Sequence, residues 1–143
     1  MTWATDAVFV AGGDLVVEGW REFQAQTGLS AVVAIAAAPP ALFTDPLPWA
    51  WLWLPLADES AYTLEHLNLG VDFIDHALRA GRRVLLHGPQ GRHRARPLVA
   101  AHLLTTGKSL PRVLREIEQR PWLPPYKGDP ELLRRFVEAR TGA

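Results

Sequence analysis

Apolar residues are grouped along the chain in two ways, in short continuous runs and in longer stretches with helical spacing. Continuous runs at 8–10, 31–37, 49–54 and 84–86 predict four strands buried in a sheet. Proline or glycine follows each run closely, which marks the end of each strand. The three tryptophans of the third run alternate and share one face, where we expect core or partial core rather than a ligand platform.

The longer stretches predict helices with one apolar face. The clearest follows Thr63, a candidate N-cap, with apolar residues at intervals of three and four until Gly81 ends the pattern. Other helices are predicted at 17–26, from about Arg94 to Gly107, after the cap residue Ser109, and after Asp129-Pro130. Residues 41–48, 58–60 and 121–128 are predicted to be loops. Strands that alternate with helices predict one α/β domain over 1–143, with a largely parallel central sheet.

Composition narrows the classes of function. The 143 residues include 15 basic and 15 acidic side chains, so the net charge of zero does not indicate general attraction to nucleic acid or to a membrane surface. The N-terminal residues lack the pattern of a signal peptide, and no apolar run is long enough to span a bilayer, so we expect a cytoplasmic protein. The sequence contains no cysteine, which excludes disulfides, zinc–thiolate sites and a cysteine nucleophile.

The segment between the fourth strand and the next helix is the best candidate for chemistry. It reads His87-Gly88-Pro89-Gln90-Gly91-Arg92-His93-Arg94. A strand, a glycine-bearing loop and a helix in this order direct backbone N–H groups and a helix N-terminus at one small volume, which suits an anion. Arg94 at the end of the loop can donate two hydrogen bonds to such an anion, although pairing with a surface acid is the alternative. Arg92, His93 and Arg96 add local positive charge, or are simply solvated.

The same loop resembles the signature of the cysteine-based protein phosphatases. His87, Gly91 and Arg94 stand where that signature has its histidine, central glycine and arginine, and Gly88 stands at the position of the cysteine nucleophile. The resemblance extends over nearly the whole chain to the compact dual-specificity phosphatases. It includes 8–13 as the opening strand, 98–104 as the helix behind the loop and Arg120-Pro121 as the turn before the last helix. The fold implied is a twisted sheet with helices on both faces.

The departures from the family pattern determine the function that the resemblance implies. Gly88 cannot attack phosphorus, Ala95 replaces the usual hydroxyl residue after the arginine, and Pro89 has no N–H to donate. Asp58, about thirty residues before Gly88, looks like the remnant of the family's general acid. The alternative, an ordinary loop aspartate, is equally compatible with the sequence. A glycine at the nucleophile position also resembles the pseudophosphatases that interact with phosphorylated residues.

The remaining histidines have less specific interpretations. His87 is expected to brace the loop rather than to catalyse, and His93 is a remote alternative nucleophile. His66, Asp72 and His76 lie close together on one helix, but a third metal ligand is not identifiable and a solvated face is the expectation. No cofactor and no metal is therefore implied.

The sequence predicts a catalytically impaired, dual-specificity-phosphatase-like protein that binds phosphate, sulfate or a phosphorylated protein. The predicted phosphate contacts are Gly88, Gln90, Gly91, Arg92, His93 and Arg94. Two alternatives remain open at this point. One is phosphatase activity by a route without cysteine, and the other is a scaffold whose pocket is vestigial.

Overall fold

The computed structural model describes residues 2–88, 93–119 and 128–141 of the chain. Five strands and six helices are present in these ranges. The strands are β1 (Thr2–Trp3), β2 (Val8–Gly12), β3 (Leu29–Ile35), β4 (Ala50–Leu54) and β5 (Arg83–Gly88). The helices are α1 (Leu15–Glu18), α2 (Trp20–Thr27), α3 (Leu64–Arg79), α4 (Arg96–Leu104), α5 (Leu110–Glu118) and α6 (Pro130–Thr141). Two 3-10 turns, Glu59–Ala61 and His93–Ala95, complete the set.

The strands form one mixed sheet in the order β1-β2-β5-β3-β4. β2, β5, β3 and β4 are parallel neighbours, and β1 pairs antiparallel with β2 at one edge. β5 therefore lies in the centre, with its carboxyl end between those of β2 and β3. Because ligands of open α/β sheets bind beyond the carboxyl ends of strands, this topology puts the end of β5 at the favoured place.

Alternate residues of the central strands contribute to two separate cores. Val84 and Leu86 face a large core that includes residues of α3, α4, α5 and α6. Leu85 faces a smaller core formed with α1, α2 and Phe43. Helices thus cover both faces of a largely parallel sheet, as the sequence predicts. Because β3 and β5 are buried on both faces, their sequences are continuous apolar runs rather than alternating ones.

The predicted helix caps are confirmed. The Thr63 hydroxyl accepts the His66 N–H and the His66 ring accepts the Thr63 N–H, which forms a capping box at the start of α3. Ser109 caps α5 through the N–H of Arg112. The Asp129 carboxylate accepts the N–H of Glu131 at 2.9 Å, at the start of α6.

Several boundaries differ from the sequence-based prediction. The helix expected at 17–26 is two helices, α1 and α2, that meet at Gly19. β5 continues through Gly88, and the loop expected at 58–60 contains a 3-10 turn. β1 was not predicted, because two residues carry no recognisable periodicity. The loop predicted at 121–128 lies almost wholly outside the described residues, as does the Arg120-Pro121 turn.

The alternating tryptophans lie at the margin of the core. Trp51 and Trp53 are half-buried on β4, and Trp49 just before the strand is about half exposed at 47%. The Trp53 indole donates to the carbonyl of Ala36 at 2.9 Å, which fixes the edge strand to the loop after β3. Partial core was the expected role, and it is what the structure shows.

Among the described residues, no helix combines the length and hydrophobicity that crossing a membrane requires.

Candidate anion-binding site

The end of β5 meets the end of β2 at the carboxyl edge of the sheet. Gly88 lies opposite Gly12, and the N–H of Gly13 donates to the Gly88 carbonyl at 3.2 Å. Gly13 has a φ of 86°, a left-handed conformation that glycine adopts without steric cost. The β2–α1 turn therefore fixes the position at which the chain enters the candidate loop.

His87 braces this junction. Its side chain is buried, and Nε2 donates to the carbonyl of Gly13 at 2.8 Å. The ring packs edge-to-face with that of Phe43, and none of the residues that the structure describes forms a hydrogen bond with Nδ1. Burial lowers the pKa of His87 below its ordinary value, although the hydrogen bond to Gly13 opposes this effect. A neutral, fully enclosed ring suits the bracing role that was expected.

The chain leaves the loop through the 3-10 turn His93–Ala95, which leads directly into α4. Proline in the first turn of α4 leaves out an N–H that a helix start does not use. Arg94 is half-buried in the turn, and Ala95 is buried at the position where the family pattern has a hydroxyl. The predicted contacts Gln90, Gly91 and Arg92 lie outside the described residues. Of the predicted contacts, the structure thus describes Gly88, His93 and Arg94, which lie at the two ends of the loop.

Asp58 lies on the turn that follows β4, close enough to Arg94 for their charges to interact. Its carboxylate accepts the backbone N–H of Ser60 at 2.8 Å and also the Ser60 hydroxyl. These two hydrogen bonds, with a smaller contribution from the charge of Arg94, lower the pKa of Asp58 below its ordinary value. Asp58 is therefore an ionised, solvent-exposed carboxylate at neutral pH, which can accept hydrogen bonds but holds no proton to donate.

Arg96 is not the solvated cation that the sequence allowed. Its side chain is only 2% exposed, and it forms a two-pronged ion pair with Glu59 through Nε and Nη2. The Nε–Oε2 distance is 2.9 Å. The charge of Arg96 is thus matched by a carboxylate and does not add to the local positive charge of the loop, which corrects the sequence-based view.

Glu59 and Tyr62 were not identified from the sequence. The Tyr62 hydroxyl donates to the backbone carbonyl of Arg94 at 2.6 Å, so this side chain also contacts the end of the loop. One signal was available: Arg96 is a charged residue at the start of a helix that is otherwise apolar over 97–101, so it needed a buried partner. The sequence did not indicate which acid would supply it.

Two of the three helical residues considered for metal binding have structural roles. The His66 ring belongs to the capping box of α3, and Asp72 pairs with Arg140 at 3.0 Å. Over the described ranges, no three histidine or acidic side chains come together as a metal site would require. His66, Asp72 and His76 therefore remain surface residues of α3.

Comparison with solved structures identifies the architecture. Human DUSP28 superimposes with a TM-score of 0.81 over 99% of both chains, at 22% sequence identity. A mouse putative dual specificity phosphatase, crystallised with zinc tungstate, gives a TM-score of 0.77 over 97% of this chain and 89% of that one, at 21% identity. The chain has the fold of the dual-specificity phosphatases. No protein-family model matches the sequence, and no curated protein does.

A third structure with this fold is the human tyrosine phosphatase-like serine/threonine/tyrosine-interacting protein. It gives a TM-score of 0.76 over 97% of this chain and 94% of that one, at 17% identity. At these low sequence identities, the superpositions establish the fold and nothing more. The role of the site depends on the residues that this chain itself places at the carboxyl edge of the sheet.

Proposed function

We propose that the protein binds a phosphate group, free or on a phosphorylated protein of the cytoplasm, at the loop from Gly88 to Arg94 and does not hydrolyse it. One observation carries the proposal. β5 ends at Gly88 at the carboxyl edge of the sheet, and the chain returns through Arg94 directly in front of the N-terminus of α4. A helix N-terminus and a guanidinium on one side of a loop attract an oxyanion.

Two features argue for binding without hydrolysis. The chain has no cysteine to form a phosphoenzyme, and without that step Asp58, the residue at the general-acid position, has no leaving group to protonate. The absence of a thiolate also removes a charge that would repel phosphate. At about 4 Å and an effective dielectric near 20, one such pair of charges is worth up to roughly 4 kcal/mol.

One structural neighbour supports the same class of ligand. The mouse protein was crystallised with zinc tungstate, and tungstate is a tetrahedral oxyanion like phosphate. The tungstate complex of that neighbour is consistent with a loop that retains an oxyanion in this fold.

The direct test is a calorimetric titration of phosphate, sulfate and a phosphotyrosine peptide against the wild-type protein and Arg94→Ala. Loss of a charged, two-pronged contact should weaken binding by about tenfold or more. Arg82→Ala is the matched control, because it removes an exposed arginine that precedes β5, at the opposite edge of the sheet. Equal affinity of Arg94→Ala and wild type would show that the anion does not bind at the proposed site.

A further inference from the structure

A buried arginine at the start of α4 connects two segments that flank the candidate site. Arg96 donates to both carboxylate oxygens of Glu59, whose side chain is only 19% exposed. Burial of a charged group is strongly unfavourable unless a partner satisfies it, so this ion pair constrains where Glu59 can lie. Glu59 in turn belongs to the 3-10 turn that begins directly after Asp58.

Tyr62 makes a second and independent connection between the same segments. Its ring is buried, and its hydroxyl donates to the backbone carbonyl of Arg94. The acceptor is the main chain of the residue proposed to grip the anion. A shift of the Tyr62 side chain would therefore change the position of the Arg94 backbone, and with it the position of the Arg94 guanidinium.

The segment 58–62, which we call the acidic turn, is also fixed internally. The Asp58 carboxylate accepts the Ser60 N–H, and the Asp58 carbonyl accepts the Ala61 N–H at 3.2 Å. These internal hydrogen bonds and the two outside connections constrain the acidic turn as a unit.

We propose that Glu59, Arg96 and Tyr62 are positioning residues that join the acidic turn to the loop exit at 93–96, so that the two segments open and close together. The joined unit holds the Arg94 backbone, and with it the guanidinium that contacts the anion, in a fixed position relative to the acidic turn. This proposal rests on the proposed function only for its effect on binding. The joining of the two segments follows from the contacts themselves.

Two other roles for the ion pair make different predictions. If Glu59 only neutralises Arg96, its removal would expose positive charge near the loop and strengthen anion binding. If the pair only stabilises the fold, its removal would lower the unfolding temperature and leave anion affinity in the folded protein unchanged. A positioning role requires weaker binding together with local opening of both segments.

Hydrogen–deuterium exchange measures the opening without any ligand. We would compare wild type with Glu59→Gln, which removes the charge at nearly constant size, and with Tyr62→Phe, which removes one hydroxyl. In both variants exchange should increase by about tenfold in peptides covering 58–62 and 93–100, with little change in β3 and the rest of β5. Glu65→Gln, an exposed acid in the first turn of α3, is the control.

Tungstate affinity of the same variants, measured by calorimetry, gives the second readout. Glu59→Gln and Tyr62→Phe should each bind tungstate about three- to tenfold more weakly than wild type. The tungstate affinity of Arg96→Lys should lie between those of wild type and Glu59→Gln, because lysine keeps the charge but cannot form the two-pronged ion pair. Tyr62→Phe keeps the test decisive if Glu59→Gln does not fold.

Two results would overturn the proposal. One is faster exchange in the acidic turn alone, with 93–100 unchanged. The other is unchanged or stronger tungstate binding by folded Glu59→Gln and Tyr62→Phe. Failure of the wild-type protein to bind tungstate would instead count against the proposed function, and the exchange data would still decide whether the two segments are joined.

Discussion

Gly88 is the last residue of the central strand and stands where the resemblance to cysteine-based phosphatases expects the nucleophile. Its surroundings at that edge are built from contacts that do not depend on its side chain. The Gly88 carbonyl accepts the Gly13 N–H, and the preceding His87 is held by the Gly13 carbonyl. These hydrogen bonds use no side-chain atom of position 88, so a cysteine there has the same backbone groups available for them.

This leads to a prediction at the scale of one residue. Wild-type protein should show no burst and no turnover of an aryl phosphate, whereas Gly88→Cys should hydrolyse it weakly, about tenfold above the uncatalysed background rate. Arg94 and the N-terminus of α4 would lower the pKa of a thiol placed there. Steady-state release of the aryl product is the measurement, with thiol alkylation as a control.

Further variants separate the parts of this prediction. The double variant Gly88→Cys/Ala95→Ser should hydrolyse the aryl phosphate faster than Gly88→Cys alone. The added serine supplies the hydroxyl that the family pattern has and this chain lacks. Gly88→Cys with Arg94→Ala should be inactive. If folded Cys variants bind phosphate and yet form no phosphoenzyme, the loop does not retain the catalytic geometry of a phosphatase. The protein would then be better described as a scaffold whose pocket is vestigial.

At the scale of elements, the contact between α3 and α4 determines where the loop exit lies. Gly70 of α3 faces Leu98 of α4, and a Cβ added at Gly70 would lie 2.6 Å from the Leu98 Cδ1 atom. That is far closer than carbon atoms can approach. The absence of a side chain at Gly70 thus allows α4, and with it the helix N-terminus behind Arg94, to pack closely against α3.

Gly70→Ala should therefore destabilise the protein, although alanine is the better helix former. Overpacking costs about 1–3 kcal/mol, against a gain of about 1 kcal/mol in helix propensity, so we expect a net loss of up to about 2 kcal/mol. Urea unfolding monitored by tryptophan fluorescence measures it. Leu69→Ala, at an exposed neighbouring position of α3, should change stability far less. A more stable Gly70→Ala protein would show that Leu98 moves aside freely.

At the scale of the whole molecule, two buried histidines make stability depend on pH. Burial lowers the pKa values of His87 and His102 below the ordinary value of 6.5, and the nearby charge of Asp75 only partly opposes this at His102. As the pH falls through 6.5, the unfolded chain takes up protons on these rings more readily than the folded protein does. The free energy of unfolding should therefore fall as the pH is lowered from about 7 towards 5.

The expected slope is about 1.4 kcal/mol per pH unit for each histidine that stays neutral in the folded state. Urea unfolding at a series of pH values measures it. The double variant His87→Gln/His102→Gln should have a flatter profile than wild type, since glutamine does not titrate, even if it is less stable overall. His76→Gln, on the exposed face of α3, is the control. Parallel profiles for the double variant and wild type would assign the acid sensitivity to other groups.

The sequence by itself determined the features that depend on neighbours along the chain. Apolar runs located the four parallel strands, and side chains able to bond to nearby N–H groups located the starts of α3 and α5. The loop signature located Gly88 and Arg94 because a strand, a loop and a helix in sequence also lie together in space. These are local relations, and local physical chemistry is sufficient to predict them.

The tertiary structure decided the relations between distant residues. Pairing of the two-residue β1 with β2, the close approach of Leu98 to Gly70, and the burial of Arg96 against Glu59 all join segments that are far apart in sequence. A charged residue signals that it needs a partner when it is buried, but the packing of helices and strands selects which partner it meets. For this reason the ends of the candidate site were visible in the sequence, whereas the contacts that hold them in place were not.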